Sequence, residues 1–488
     1  MNRKLLLILG VVAFLAIIIT PLLLGTLFKR QPKNLEGIPR QSAKPLVVWN
    51  LFDPEDAFTG AIQQYQTNHP NVRIEYLQFN NLKEYENLLL NQLAEGTGPD
   101  VVALQNSWFL KYRKKLSPLP TGLQQMSTDR FRQTFVGITA DDLILKDESG
   151  KEQIYGVPLF VDTLALYYNS SHFRDYVPTA TAPASTWLEI TKQVQKLNHP
   201  DNSFERFLIS GLAAGRADNL RNALPFLYLL FIQNKTQLFT ENLQSVVLDT
   251  QQGLDPLTQE SFYPALNALK FYTSFALPDY AHYAWNDLIT RRTPQELELG
   301  VFAKGRLAMM TGFSSDYEKI KESINQKKQG GVSSMNVSDI KITSIPQLTR
   351  EGRDAYAEYF PLAVSRNSTR KETAWDFVLF LSQRENAQNY FLKTHKPTAR
   401  LDLVEEQSQD PIYGIFALQA SFAKSLPVLD SSAYQKIFTE AINSIIEGRQ
   451  TPQDALRIAR GKLQCVLDQF NNIPGKLGTD CFNQAKLD

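Results

Sequence analysis

From Leu46 onward, short apolar runs alternate with segments whose apolar residues recur at helical spacing. Leu46-Val47-Val48-Trp49 is a compact apolar run of the kind that forms a buried strand. Asp53-Pro54-Glu55 marks a helix start with acidic residues in its first turn. Phe58, Ile62 and Tyr65 continue that helix until Asn68-His69-Pro70 stops it. Val72 to Phe79 alternates as a second strand, and Leu82, Tyr85, Leu88, Leu89 and Leu93 mark a helix ended by Gly96-Thr97-Gly98-Pro99. Asp100 to Leu104 is a third strand. Strands alternating with helices predict a mostly parallel sheet built from βαβ units. The middle, from Trp187 to about Leu299, is mainly helical, with Tyr228 and Phe231 as core aromatics. Leu307-Ala308-Met309-Met310 predicts another strand, and Ala374, Phe377, Val378 and Leu381 a C-terminal helix.

The N-terminus follows a different pattern. Leu5 to Phe28 carries no charge and is bracketed by Arg3-Lys4 and Lys29-Arg30. At about 1.5 Å per residue it reaches roughly 36 Å, enough for a bilayer core of about 30 Å. The run is longer than a signal-peptide core and lacks an A-x-A-like cleavage site, so an uncleaved single-pass anchor is expected, with a cleaved export signal as the alternative. Residues 31–44 are polar, contain Pro32, Gly37 and Pro39, and serve as a linker. Hydrophobic residues at 43%, charged residues at 21% and a net charge of +1 describe a globular body without the basic stripe of a nucleic-acid binder. Cys465 and Cys481 are the only cysteines. Their short spacing downstream of an export-like segment suits one disulfide in an oxidising compartment, two unrelated buried thiols being the alternative.

Enzyme signals are weak. His69, His172, His199, His282 and His395 lie far apart, with no metal-binding pairing. Gly300 to Leu307 imitates a phosphate loop, but Arg306-Leu307 replaces the required Lys and Ser/Thr. Gly312-Phe313-Ser314 lacks the second glycine of a nucleophile elbow. The acidic pairs Asp141-Asp142 and Glu405-Glu406 are expected on solvated helix faces. No catalytic residue, metal or cofactor is expected. The three strand ends Asn50-Leu51-Phe52-Asp53, Phe79-Asn80-Asn81 and Gln105-Asn106-Ser107-Trp108 are instead rich in amides, a carboxylate and aromatics. In parallel α/β sheets ligands sit at such carboxyl ends, and this is the chemistry of a polyol pocket.

Several segments, in order, resemble the extracellular solute-binding protein family 1, the maltose-binding-like proteins of ABC importers. Gly96-Thr97-Gly98-Pro99-Asp100-Val101-Val102 is similar to the family's G-x-G-P-D-[VI]-[VI] stretch. Tyr155-Gly156-Val157-Pro158-Leu159 and Asp162 to Asn169 resemble its crossover segment. Thr186-Trp187-Leu188-Glu189-Ile190, Phe302 to Met309, and Ala363 to Ser368 leading into Ala374-Trp375-Asp376-Phe377 follow in family order. The similarity runs from about Leu46 to Leu467.

The resemblance implies a two-lobed periplasmic-binding-protein fold of type II, α/β in class, with a hinge, here preceded by one N-terminal transmembrane helix. Residues 1–30 would be the anchor and 31–44 the linker. The N-lobe would comprise 45–160 and 301–355, and the C-lobe 161–300 and 356–488, joined near Leu159–Asp162 and Tyr359–Val364. The implied function is the extracytoplasmic binding component of an ABC importer, a monomer held at the cell membrane. It would capture a mono- or oligosaccharide by hinge closure and hand it to permease subunits. An anchored receptor or adhesion module for a glycan or protein, without a permease, is the competing reading. Carried over by position, the implied ligand-binding residues are Asp53, Glu55, Gln105, Asn106, Trp108, Asp162, Trp285, Asn286, Phe313, Ser314, Tyr317 and Tyr434. Trp49, Trp187 and Trp375 are expected in the core. The retained anchor, and Ser314-Ser315 where the family often has aromatics, depart from the family pattern.

Overall fold

The computed structural model describes residues 44–201, 207–254, 260–291, 293–332, 334–474 and 480–481. The expected anchor and all of the linker except Lys44 lie outside the described residues. Among the described residues no helix is long and apolar enough to cross a membrane.

The first sheet realises the βαβ pattern of the early sequence. β1 (Leu46–Leu51) lies between β2 (Ile74–Phe79) and β3 (Val101–Ala103), parallel to both. Helix α1 (Thr59–Asn68) and helix α2 (Leu82–Glu95) make the crossovers. The chain enters α2 because Asn81 caps it, its side-chain oxygen accepting from the Lys83 and Glu84 amides at 3.1 and 3.2 Å. It leaves at Gly96, whose φ of 75° is open to glycine at little cost. Asp100 then ties several segments together. Its carboxylate accepts from the Val47 amide at 3.0 Å, the Ser368 hydroxyl at 2.6 Å and the Arg370 guanidinium at 3.2 Å. The Gly-x-Gly-Pro-Asp stretch is therefore a structural knot at the start of β3.

β4 (Leu116–Ser117) belongs to the same sheet, which runs in the order β2-β1-β3-β10-β4, where β10 is Leu362–Ser365. A second sheet forms around β6 (Ala165–Asn169), flanked by antiparallel β7 (Met309–Gly312) and β8 (Ile340–Thr343). Gly312 is required here, since a Cβ would come within 2.8 Å of the Tyr167 ring. Between the two lies a short third sheet. Its β5 (Asp162–Thr163) runs antiparallel to β9 (Ala355–Glu358), which also pairs with β11 (Ala423–Lys424). β10 (Leu362–Ser365) returns the chain to the first sheet beside β3. The chain thus passes between the sheets around 155–161, at 359–361 and again near 408–413, and the small sheet gathers these passages.

The pairing differs from the grouping that the resemblance implies. That grouping places 301–355 with 45–160, whereas β7 and β8 both pair with β6. It places 356–365 with the other lobe, whereas β10 lies in the first sheet. β6 needs hydrogen-bonding partners on both edges, and local hydrophobic pattern does not say which distant strands supply them.

Helices cover the sheets. α7 (Lys371–Leu381) packs on β10 and α1, and α8 (Arg384–Thr394) follows it. On the other side, α3 (Trp187–Leu197) opens with a reciprocal cap. Thr186 donates to the Glu189 carboxylate at 2.8 Å and accepts from the Glu189 amide at 3.4 Å. α4 (Ala223–Gln233), α5 (Pro264–Ser274), α9 (Ser431–Ile446) and α10 (Pro452–Phe470) pack together, with α4 against β9. α4 is apolar nearly all round and correspondingly buried. α6 (Asp316–Gln329) follows β7 and ends with Lys327 paired to Glu296 and Lys328 exposed. Cys465 in α10 is bonded to Cys481.

Trp49, Trp187 and Trp375 are buried, as expected, but so are Trp108, Trp285 and Tyr434. Trp285 is wholly enclosed, and its indole N–H donates to Asn219 Oδ1 at 2.9 Å. Its neighbour Asn286 donates to the Tyr283 hydroxyl at 3.1 Å and accepts from the Leu288 amide at 3.1 Å, holding a local turn. Tyr434 is enclosed within α9 and directs its hydroxyl to the Pro427 carbonyl at 3.4 Å. A side chain this large and this satisfied serves packing. Trp285→Ala is therefore expected to destabilise the unliganded protein by about 3–5 kcal/mol. Urea unfolding measures this; a midpoint within experimental error of wild type would contradict a core role.

Candidate ligand cleft between the two sheets

A cavity of about 380 Å³ lies where the carboxyl ends of the first sheet face the second. The first side supplies Leu82, at the start of α2, and Gln105 and Ser107, from the turn after β3. Arg221, Asn222 and Tyr228 come from the start and body of α4; Phe313, Asp316 and Lys319 follow β7. Tyr356 and Glu358 of β9 form part of the wall, with Ser431 and Gln435 of α9. Other cavities, such as those at Phe207–Arg306 and Arg113–Lys371, draw on one side only. A cavity that collects residues from both sheets is the one that relative motion of those sheets would open and close.

The strand ends place the expected residues in several different roles. Gln105 and Phe313 line the cavity. Asp53 is buried beside it in sequence only: its carboxylate accepts from the Tyr390 hydroxyl at 2.7 Å and pairs with Lys396. Glu55 is exposed in a single helical turn, Glu55–Ala57. Asn106 is buried and donates to Asp142 at 2.9 Å. Trp108 is buried, and its indole N–H donates to Ser431 Oγ at 2.8 Å, so it supports the wall from behind. Tyr317 is half-buried and meets Tyr413 edge-on at 5.9 Å. Trp285, Asn286 and Tyr434 do not line this cavity, for the packing reasons given above.

Asp162 and Ser314 are joined to each other. The Ser314 hydroxyl donates to Asp162 Oδ2 at 2.7 Å and its amide to Oδ1 at 3.1 Å. This clasp fastens the turn after β7, which carries Phe313 and Asp316, to the short strand β5. Burial pushes the Asp162 carboxyl up to about 7. The Ser314 hydrogen bonds and the Lys396 charge offset part of that rise, while Asp316 adds to it.

Residues absent from the sequence-based set carry most of the charge. Arg221 donates to Asp316 Oδ1 at 3.1 Å and lies 3.2 Å from Glu298, poorly aligned for a hydrogen bond. Lys319 reaches Asp316 at 3.2 Å. Burial would raise the Asp316 carboxyl, but Arg221 and Lys319 outweigh it and hold it below its ordinary value. Glu298, buried behind the guanidinium, is raised by burial despite Arg221. Glu358 is also raised by burial, partly offset by hydrogen bonds from Tyr356 and Gln105. Arg221-Asn222 at the head of an otherwise apolar helix was the available signal. Tyr228, expected as core, is mostly buried but also reaches the cavity.

Asp162 generates a pH-dependent prediction. An acid whose folded pKa is raised binds more protons folded than unfolded between its two pKa values, so its ionisation lowers stability as pH rises from about 4 to about 7. Asp162→Asn keeps an acceptor for Ser314 and removes the ionisation. The variant is expected to gain stability relative to wild type by roughly 1–4 kcal/mol between pH 5 and pH 8. Denaturant titrations at both values measure it; a stability difference that does not change with pH would contradict the buried, titrating carboxyl.

The comparisons with known proteins agree with this architecture. Residues 53–388 match the family model described as bacterial extracellular solute-binding protein. A binding protein of Brucella abortus (strain 2308) is 22% identical over 391 residues, 78% of this chain and 82% of its own. Among solved structures, the sugar-binding protein MalE of Xanthomonas citri has a TM-score of 0.66 at 15% identity, covering 88% of this chain and 98% of its own. The GacH receptor of Streptomyces glaucescens, solved unliganded and with acarbose, has a TM-score of 0.64 at 17% identity, covering 87% and 98%. Maltose-bound MalE3 of T. maritima has a TM-score of 0.63 at 16% identity, covering 86% and 99%. These likenesses establish a mixed α/β, two-lobed binding-protein fold, and the family and neighbours are binding proteins rather than enzymes. The chain belongs to the bacterial extracellular solute-binding protein family.

Proposed function

We propose that this protein is the extracytoplasmic binding component of an ABC importer and captures a mono- or oligosaccharide by closure of two lobes. One lobe is centred on the first sheet, residues 45–160 with 359–410. The other is centred on β6, residues 164–354 with 411–488. The observation that carries this reading is the composition of the cavity between them. Tyr228, Phe313 and Tyr356 offer aromatic surface, while Gln105, Ser107, Asn222, Glu358, Ser431 and Gln435 offer donors and acceptors. Aromatic rings suit the C–H faces of a sugar, and the amides, hydroxyls and carboxylates pair with its hydroxyl groups. Each matched hydrogen bond contributes about 0.5–1.5 kcal/mol net, whereas a buried group left unmatched costs about 1–3 kcal/mol. Selectivity follows from that asymmetry.

Closure follows from the connections. The lobes are joined by short passages beside the β5–β9 pairing, so a few backbone torsions can change their angle while each sheet stays intact. A ligand that touches both sides binds the closed arrangement better and shifts the population toward it. The apolar stretch 5–28 is proposed to anchor the body at the membrane, on the strength of its sequence alone.

A thermal-shift screen of the purified protein against mono- and oligosaccharides, amino acids and polyamines tests this. A saccharide is expected to raise the melting temperature without being turned over, and at a hundredfold excess over Kd it adds about 2.7 kcal/mol of stability. Phe313→Ala is expected to weaken that saccharide about tenfold, the loss of about 1.4 kcal/mol of stacking. Stabilisation by amino acids or polyamines alone would contradict the saccharide assignment.

A further inference from the structure

The charges lining the cleft are unevenly paired. Its lining cations are Arg221 and Lys319, and both are committed to Asp316, at 3.1 and 3.2 Å. Arg221 is shared further with Glu298 behind it, 3.2 Å away. Glu358 lines the same cavity, and no cation figures among the groups that act on it most strongly. Its hydrogen-bond partners are the Tyr356 hydroxyl, at 3.4 Å, and the Gln105 side chain, both neutral. The lining therefore carries two carboxylates, Asp316 and Glu358, and two cations, Arg221 and Lys319, and both cations are engaged by Asp316. Glu358 is the lining carboxylate whose charge, when ionised, meets only neutral partners.

The surroundings of Glu358 sharpen the point. The Tyr228 and Tyr356 rings lie beside it, 5.9 Å apart centre to centre, and its charge raises both phenols further. Before closure, water can solvate this carboxylate. Closure around a neutral guest would replace that water with hydroxyl donors at best and leave the charge without a counter-charge. A guest carrying an ammonium group would replace the water with a charge-assisted hydrogen bond and present its cation to flanking aromatic rings.

We propose that the cleft selects a saccharide bearing a basic nitrogen, an amino sugar or an oligomer of one, and that Glu358 determines this preference. The inference rests on the saccharide reading above and narrows it. Position supports the assignment as well. Glu358 ends β9, its backbone paired with Asp162 of β5, so it stands where the lobes meet and is covered as they close.

The test is calorimetric titration of the intact protein with matched pairs. These are glucosamine against glucose, galactosamine against galactose, and β-1,4-linked glucosamine oligomers against cello-oligomers and N-acetylated oligomers of equal length. The amino member of a binding pair is expected to bind about tenfold tighter or more, the difference between a charged and a neutral hydrogen bond. Glu358→Gln is expected to bring that ratio near one, and Glu358→Asp to retain a preference for the amino member. Equal or tighter binding of the neutral or N-acetylated member to wild type overturns the inference and leaves the saccharide reading standing. A preference that survives in Glu358→Gln, or an equal loss for both members of the pair, overturns the role of Glu358. Failure of every saccharide to bind overturns both readings. The wild-type ratio decides the preference even if a variant does not fold.

Discussion

The short antiparallel pairing of Asp162–Thr163 with Ala357–Glu358 is the constraint on which the rest of the structure depends. It draws the chain passages between the two larger sheets into one place, so the sheets can meet along only one edge. Their strand ends then face each other, and the residues that follow β3 and β7 become opposite walls of a cleft. The clasp between Asp162 and Ser314 extends this constraint by one layer, since it orients the turn that delivers Phe313 and Asp316. Without that junction the same elements would still fold into α/β layers, but their polar strand ends would not converge.

Convergence carries an electrostatic cost. Asp162, Glu298, Asp316 and Glu358 all lie in or near the junction, and burial opposes the ionised form of each. Only Asp316 has enough positive charge nearby to end below its ordinary value. Such a concentration of incompletely compensated carboxylates is expensive for stability alone. It is consistent with a surface kept partly solvated until a guest arrives, in a protein whose task is reversible capture. The disulfide joins Cys465 of α10 to Cys481.

Much of the architecture was legible in the sequence. The apolar run at Leu46, the capped helix at Asn81 and the turn at Gly96 gave the first sheet, because strand and helix periods and capping residues act locally. The Gly-x-Gly-Pro-Asp stretch pointed to the right family, and its reason is structural, since Asp100 binds three separated segments. Strand pairing across the junction was not legible. Nothing local in Met309–Gly312 or Leu362–Ser365 says which sheet each will join. The candidate cleft was legible only in part. Gln105 and Phe313 line the cleft, whereas Trp285 and Tyr434 fill the core, because an aromatic side chain looks the same in sequence whether it stacks on a ligand or on its neighbours. Arg221, Asp316 and Glu358 were missed for the converse reason: an isolated charge in a sequence usually marks solvent, and only the fold shows these three to be partly or wholly enclosed.

Motion of one lobe against the other on ligand binding is the central claim, and small-angle X-ray scattering reads it directly. The protein would be measured free and then saturated with a saccharide that stabilises it thermally. Hinge closure predicts a smaller radius of gyration and a shorter maximum dimension in the saturated sample. Superimposable profiles at full saturation would contradict it.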